Sequence, residues 1–430
     1  MKRLKTTVSA AMLMAVSLSA GAKSPVFDQV FNDSTLRIDY IFGGNDKTSL
    51  VMLDHMHKWK GWAGKRNNLE KIPYVGYGII TVTDSLTGDT IYRHSFSSLF
   101  REWQATPEAR QTLKSFQNSF LVPLPKAKAM INIVLLDMRH DKVAENTHVY
   151  TPGDILVKKA DEKKTVPFRY VHKGGDPNKA IDVALLAEGY TEAEMDKFYA
   201  DAKRAADAMF THEPYKSRKN DFNFIAVAAP SVDSGVSVPR DGVWKNTAFK
   251  SHYDTFYSDR YLTTSNIFDV YDALNGIPFE HLIILVNSPM YGGGGIYNSS
   301  TLSTTGHPTF VQVLVHEFGH SFGGLADEYF YDNDVMTDSY PLDVEPTEPN
   351  ITTLVDFDSK WKSMLKKGTP VPTPIELKDK YPLGVFEGGG YSSKGVYRPV
   401  DKCRMRVNDV PNFCPVCEKA INDLIDFYTK

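Results

Sequence analysis

His316 and His320 lie four residues apart with Glu317 directly after the first, an H-E-x-x-H pattern. On a helix this spacing puts both imidazoles on one face, where they can grip a single metal ion. The chemistry expected of such a trio is hydrolytic: two histidines bind zinc, and the glutamate acts as general base towards a metal-activated water. Two histidines do not complete a site. Gly323, three residues past His320, is expected to end the helix in the left-handed conformation and turn the chain back. Asp327 and Glu328 then follow as the carboxylates within reach.

The neighbouring stretches share the theme. H-E-F-G-H-S-F-G-G-L-A-D-E-Y, the N-S-P-M-Y-G-G-G-G run from Asn287 to Gly295, the E-G-G-G-Y run from Glu387 to Tyr391, and C-R-M-R followed by F-C-P-V-C together span much of the C-terminal half. In these motifs the chain resembles the M64 peptidases, called IgA peptidases, and H-E-x-x-H-x-x-G opens the metzincin signature. The resemblance implies a zinc endopeptidase acting on proteins or peptides, with a zincin/metzincin-like α/β catalytic domain built on a mixed twisted sheet and an active-site helix. It implies that Met405 is the methionine packed beneath the zinc site. It also implies that an edge strand before the helix, near the glycine run, pairs with substrate. Where metzincins carry a third histidine this chain has Ala326, so the third ligand is expected one residue on, at Asp327. Glu328 is the alternative; in an extended return strand the two side chains point in opposite directions, and only one can face the metal. Tyr391 and Tyr397 are candidate oxyanion donors that position in the sequence does not decide between.

Two other functions compete with this one. An exported glycan- or protein-binding protein with a purely structural metal would have no use for Glu317, since structural zinc sites are closed by four protein ligands. A hydrolase of a non-peptidic amide or ester would use the same residues. The formal net charge of -3 over 430 residues, with 23% charged residues interspersed in sign, argues against a nucleic-acid partner.

The elements that must hold these residues can be read in outline. Residues 1–22 combine M-K-R-L-K, a short apolar run, and small residues at Ala20 and Ala22, the pattern of a cleaved secretory signal peptide. The apolar run is too short to span a membrane, and no cysteine stands at the cleavage point for a lipid anchor. The mature protein is therefore expected to be periplasmic or secreted. Its three cysteines, Cys403, Cys414 and Cys417, are then expected to form a disulfide from Cys403 to Cys414 or Cys417; a structural zinc site would want a fourth ligand that the sequence does not nominate.

Residues 23–157 read as an all-β sandwich domain, with Leu36 to Phe42 alternating apolar against polar, a hairpin around D-S-L-T-G-D, and one helix opened by Thr106 and Pro107. H-M-H-K-W-K-G-W (His55, His57, Trp59, Trp62) reads as a partly buried aromatic cluster in preference to a sugar-stacking or metal patch. The charged run 158–164 reads as a linker. A catalytic domain over 165–430 follows, α+β overall for the chain. Ile181 to Ala187 is a strand covered on both faces, and Thr191 with Glu194 forms a capping box opening a helix to about Phe210. Phe222 to Ala229 is a strand parallel to the first, and Phe279 to Asn287 is a third. The motif helix should start near Pro308, and the last helix should cover Glu418 to Tyr428. The acidic, proline-rich stretch after Glu328, to about Asn350, reads as a solvated loop and a candidate structural calcium site.

Overall fold

The computed structural model describes residues 24–160, 165–330 and 340–430. The signal-peptide reading and most of the 158–164 linker lie outside the described residues. The chain is mixed α/β, with four sheets and few helices among the described residues.

A short helix α1 (Phe27–Val30) leads into β1 (Phe31–Gly44), β2 (Ser49–Lys60), β3 (Gly78–Asp84) and β4 (Thr90–Phe96). Helix α2 (Leu99–Gln104) precedes β5 (Lys114–Pro125), β6 (Ala129–Leu136), β7 (Lys142–Tyr150) and the two-residue β8 (Lys158–Lys159). They form two four-stranded sheets, β5-β1-β2-β8 and β4-β3-β6-β7. Phe42, Phe96 and Phe120 meet between these sheets, ring on ring, in one aromatic core. Helix α2 comes eight residues earlier than the sequence suggests: Ser98 caps it by accepting from the Arg101 N–H, while Thr106 and Pro107 open only a single 3₁₀ turn at Glu108–Arg110. Ser98 is as good a cap residue as Thr106, and Trp103, fully buried, decides between them by packing. Lys158 and Lys159, expected in a linker, pair with β2 instead.

The second half is organised on a six-stranded sheet. Its strands are β9 (Phe168–Lys173), β10 (Ile181–Glu188), β11 (Phe222–Val227), β12 (His281–Val286), β13 (Gly293–Ile296) and β14 (Ser300–Thr304), in the order β13-β14-β12-β10-β11-β9. The four inner strands run parallel; β13 and β9 are antiparallel edges. Every residue of β10 is buried, the pattern of a strand sandwiched between layers. One face carries α3 (Met195–Met209), α5 (Phe310–Ser321) and α6 (Pro415–Thr429); α4 (Ile267–Ala273) lies on the other. Thr191 and Glu194 form the capping box that starts the first turn before α3. The small sheet of β15 (Phe386–Gly389) and β16 (Ser392–Arg398) flanks the end of α5.

Leu36 to Phe42 lies within β1, but its polar positions are not solvated. Arg37 and Asp39 are buried, because this face of the sheet packs on α4. Trp59 and Trp62 are also buried, and His57 pairs with Asp39 at 3.3 Å. Among the described residues no helix is long and apolar enough to cross a membrane.

Candidate metal centre

Helix α5 carries His316, Glu317 and His320. Val313, Leu314, Val315, Phe318 and Phe322 are buried and press it onto the sheet, so the imidazoles have a fixed base. His316 Nδ1 lies 2.9 Å from the Arg404 carbonyl, and His320 Nδ1 lies 2.6 Å from the Leu325 carbonyl. A carbonyl only accepts, so each Nδ1 carries a proton, and a ring in its neutral form presents a bare Nε2. The two Nε2 atoms face one another at 3.1 Å.

The chain then turns back. Gly324, at φ +59°, takes the left-handed conformation expected of Gly323. The N–H groups of Gly324 and Leu325 close the helix on the carbonyls of His320 and Gly319. Gly323 is needed small for another reason: a Cβ there would stand 2.6 Å from the Gly319 carbonyl oxygen.

Beyond the turn, the chain from Ala326 is held by Asn350. Its amide grips both the N–H and the carbonyl of Ala326, at 2.8 and 2.9 Å. The Asp327 carbonyl accepts from the Gly390 N–H, and the Glu328 N–H donates to the Met405 carbonyl. Asp327 consequently faces the histidines, with Oδ1 3.0 Å from His316 Nε2 and 3.3 Å from His320 Nε2. Its other oxygen, Oδ2, accepts a hydrogen bond from the Tyr391 hydroxyl. Tyr391, at φ +63°, is itself 3.4 Å from the Tyr329 hydroxyl. Glu328 points to the opposite side and is fully buried.

Three donor atoms on a triangle of 3.0–3.3 Å edges match the spacing of ligands sharing one ion at about 2.0–2.1 Å. Their charges agree. Burial alone would push both imidazoles down, but the Asp327 carboxylate outweighs it and raises both, His320 to about 9. Asp327, which burial would raise, is held well below the usual carboxylate range by the two histidines. The cluster demands a positive charge at its centre, a proton or a metal ion. Burial raises the Glu317 carboxyl, against the pull of the same histidines.

Met405 is fully buried, and its sulfur fills the space beside Gly319, where a Cβ would lie 2.7 Å from Sδ. The glycine run forms edge strand β13, packed on the motif helix: a Cβ on Gly295 would sit 2.2 Å from the Glu317 carbonyl oxygen, and one on Gly293 2.9 Å from Glu317 Oε1. Gly293 is not open to a partner, because its N–H donates to Arg260 O and its carbonyl accepts from Leu262 N–H.

Family comparisons bear on both halves of this arrangement. The model of the IgA peptidase M64 family matches residues 170–381 and 376–425, and that of the peptidase M64 N-terminus matches residues 26–147. The chain belongs to the M64 family. Its family is one of peptidases, whose substrates are proteins or peptides. No curated protein matches the chain. Among solved structures, a pullulanase from Anoxybacillus sp. LM18-11 aligns at 10% identity over 61% of this chain and 48% of its own, with a TM-score of 0.11. The chain thus spans about half of that protein, and the superposition is too poor to carry an argument.

On this M64 chain the site residues from the sequence fall into two groups. His316, Glu317, His320, Asp327 and Met405 come together, and Tyr391 joins them. Tyr397, on β16, instead pairs its backbone with Thr352. Asn350 carried no signal in the sequence, since its role depends on where a distant loop lands. The acidic stretch falls partly on residues 331–339, outside the described residues. A cavity of about 260 Å³ lined by Trp59, Trp62, Lys65, His94 and Glu280 contains none of the site residues.

The expected disulfide is not formed: Cys403, Cys414 and Cys417 are free thiols, all buried, with Cys417 Sγ 3.8 Å from Cys403 Sγ and 3.6 Å from Cys414 Sγ. The same sulfur meets a carboxylate, since Cys417 Sγ lies 3.3 Å from Glu328 Oε1.

Proposed function

We propose that this chain is an exported, zinc-dependent endopeptidase with a metzincin-like catalytic domain over residues 165–430, behind an N-terminal β-sandwich domain over 23–157. One observation carries the reading: His316 Nε2, His320 Nε2 and Asp327 Oδ1 converge to within 3.3 Å of one another, beside Glu317. These three would hold the ion. When bound, zinc would supply Lewis acidity, making a water nucleophilic at neutral pH and polarising the scissile carbonyl.

The chain's own groups do the rest. The Arg404 and Leu325 carbonyls fix the histidine tautomers, so both Nε2 lone pairs stay directed at the ion. The Tyr391 hydroxyl holds one oxygen of Asp327, leaving the other for the ion. Glu317 takes the proton from the attacking water and returns it to the departing amine, which leaves neutral. Met405 fills the floor under Gly319 and keeps the helix from sinking away from the ligands.

Glu317→Gln tests the proton step. It should keep the ion, because Glu317 is not a ligand, and lose at least about a hundredfold in rate, the low end of what a positioned base contributes. Cleavage of a proteome-derived peptide library, read by mass spectrometry with and without chelator, gives both activity and specificity. A metal-loaded Glu317→Gln protein that cuts as fast as the parent removes Glu317 from the mechanism; chelator-insensitive cutting removes the metal.

A further inference from the structure

We propose that Cys403, Cys414, Cys417 and Glu328 hold a second metal ion, a closed structural zinc site lying behind the third ligand of the first. One ligand atom from each residue lies within 4.8 Å of the others, and all four residues are buried. The sulfur separations from Cys417, 3.6 and 3.8 Å, are far from a disulfide bond of about 2.05 Å. They are the edges expected when thiolates share a tetrahedral ion at about 2.3 Å, which places sulfurs about 3.8 Å apart. The carboxylate edge fits as well: Glu328 Oε1 stands 3.3 Å from Cys417 Sγ.

Three further observations point to a cation at the centre. Glu328 Oε2 is buried with no hydrogen-bond partner among the described residues, a costly state for a carboxylate that metal ligation would relieve. The Cys403 sulfur accepts from two backbone N–H groups, of Met405 at 3.5 Å and Cys414 at 3.3 Å, which fix its position. Cys414 and Cys417 sit at the cap and in the first turn of α6, a 15-residue helix whose N-terminal end favours negative charge. Three thiolates and a carboxylate around a divalent ion leave a net negative cluster. Arg398 and Arg404, both buried, each with a guanidinium Nε lacking a partner among the described residues, lie within its electrostatic reach. Among divalent ions, a soft sulfur-rich tetrahedral set selects zinc.

Such an ion would join three pieces of chain that converge on the first site. The 403–405 turn gives the Arg404 carbonyl to His316 and the Met405 carbonyl to the Glu328 N–H; the 327–328 peptide sends one carboxylate to each site. The second ion therefore positions Asp327 without touching substrate. That consequence rests on the reading of Asp327 as a ligand, whereas the site itself does not.

X-ray absorption at the zinc edge on the purified His316→Ala/His320→Ala protein tests the site with the first one destroyed. We expect one zinc per chain with three sulfur scatterers at about 2.3 Å. A protein without zinc, or zinc bound by nitrogen and oxygen only, overturns the proposal. Should the double variant not fold, the same spectrum on the parent protein must contain sulfur scattering, and its absence is equally decisive. An intact mass two hydrogens light, showing a disulfide in protein from the export route, also overturns it. Failure of the peptidase reading looks different: sulfur-bound zinc would persist in a protein that cuts no peptide.

Discussion

At the scale of residues, the site divides by what a local rule can reach. His316, Glu317 and His320 were legible because one helical turn fixes their relations whatever surrounds it. Asp327 was reached by alternation along an extended strand, which separates it from Glu328 but does not say which of the two faces the histidines. That choice is made by Asn350, clamping Ala326 from 24 residues away, and by the Met405 carbonyl. Their effect can be tested by removing each carboxylate. Asp327→Ala should weaken zinc binding at the histidine site by more than about a hundredfold, beyond the usual cost of losing an outer partner of a ligand. Glu328→Ala should leave a zinc ion on the histidines and release the sulfur-bound one. Metal analysis during stepwise chelation separates the two populations. If Glu328→Ala empties the histidine site while Asp327→Ala does not, the two carboxylates have been assigned the wrong way round.

At the scale of elements, periodic segments were legible and glycines were misjudged. The capping box at Thr191 and Glu194, the parallel pair of strands around α3, and the motif helix are each specified by their own residues. The run from Gly292 to Gly295 read only as lying near a substrate-pairing edge strand. It is instead a strand with one side pressed on α5, and the sequence could not convey this because the contact partner is 22 residues away. Gly295→Ala would put a methyl group 2.2 Å from the backbone oxygen of Glu317 and 3.0 Å from His320 Cβ. Backbone cannot rotate aside as a side chain can, so β13 or α5 must shift. Destabilisation of about 1–3 kcal/mol is expected, typical of overpacking. A displaced Glu317 should also cost up to about a hundredfold in kcat/KM. Urea unfolding and peptide hydrolysis measure the two effects; parental values for both would mean that β13 does not constrain the helix.

At the scale of the whole molecule, the two halves share an interface that the alternation of β1 concealed. Arg37 and Asp39 occupy what reads as a solvated face, yet both are buried. Arg37 reaches across to Asp272 on α4 at 2.5 Å and lies against the rings of Trp59 and Tyr271. A buried ion pair and an exposed one look alike in a sequence, because the partner that excludes water is remote. Asp39 accepts from Ser119 at 2.6 Å and faces Arg37 Nε at 2.7 Å. Burial works to raise its carboxyl pKa above 3.8, and His57 and Arg37 together hold it lower. A depressed carboxyl contributes stability that is present above its unfolded value and lost as pH falls through its folded one. Arg37→Met keeps the apolar stem against Trp59 and Tyr271 but leaves Asp39 buried with its main cation gone. The expected cost is about 3–5 kcal/mol, that of breaking a buried pair by removing one partner. Because burial then acts on Asp39 with less opposition, the acid limb of stability should begin at higher pH than in the parent. Urea midpoints measured from neutral to acid pH give both quantities, and a variant whose acid limb overlays the parent's would show that Arg37 does not hold Asp39 ionised.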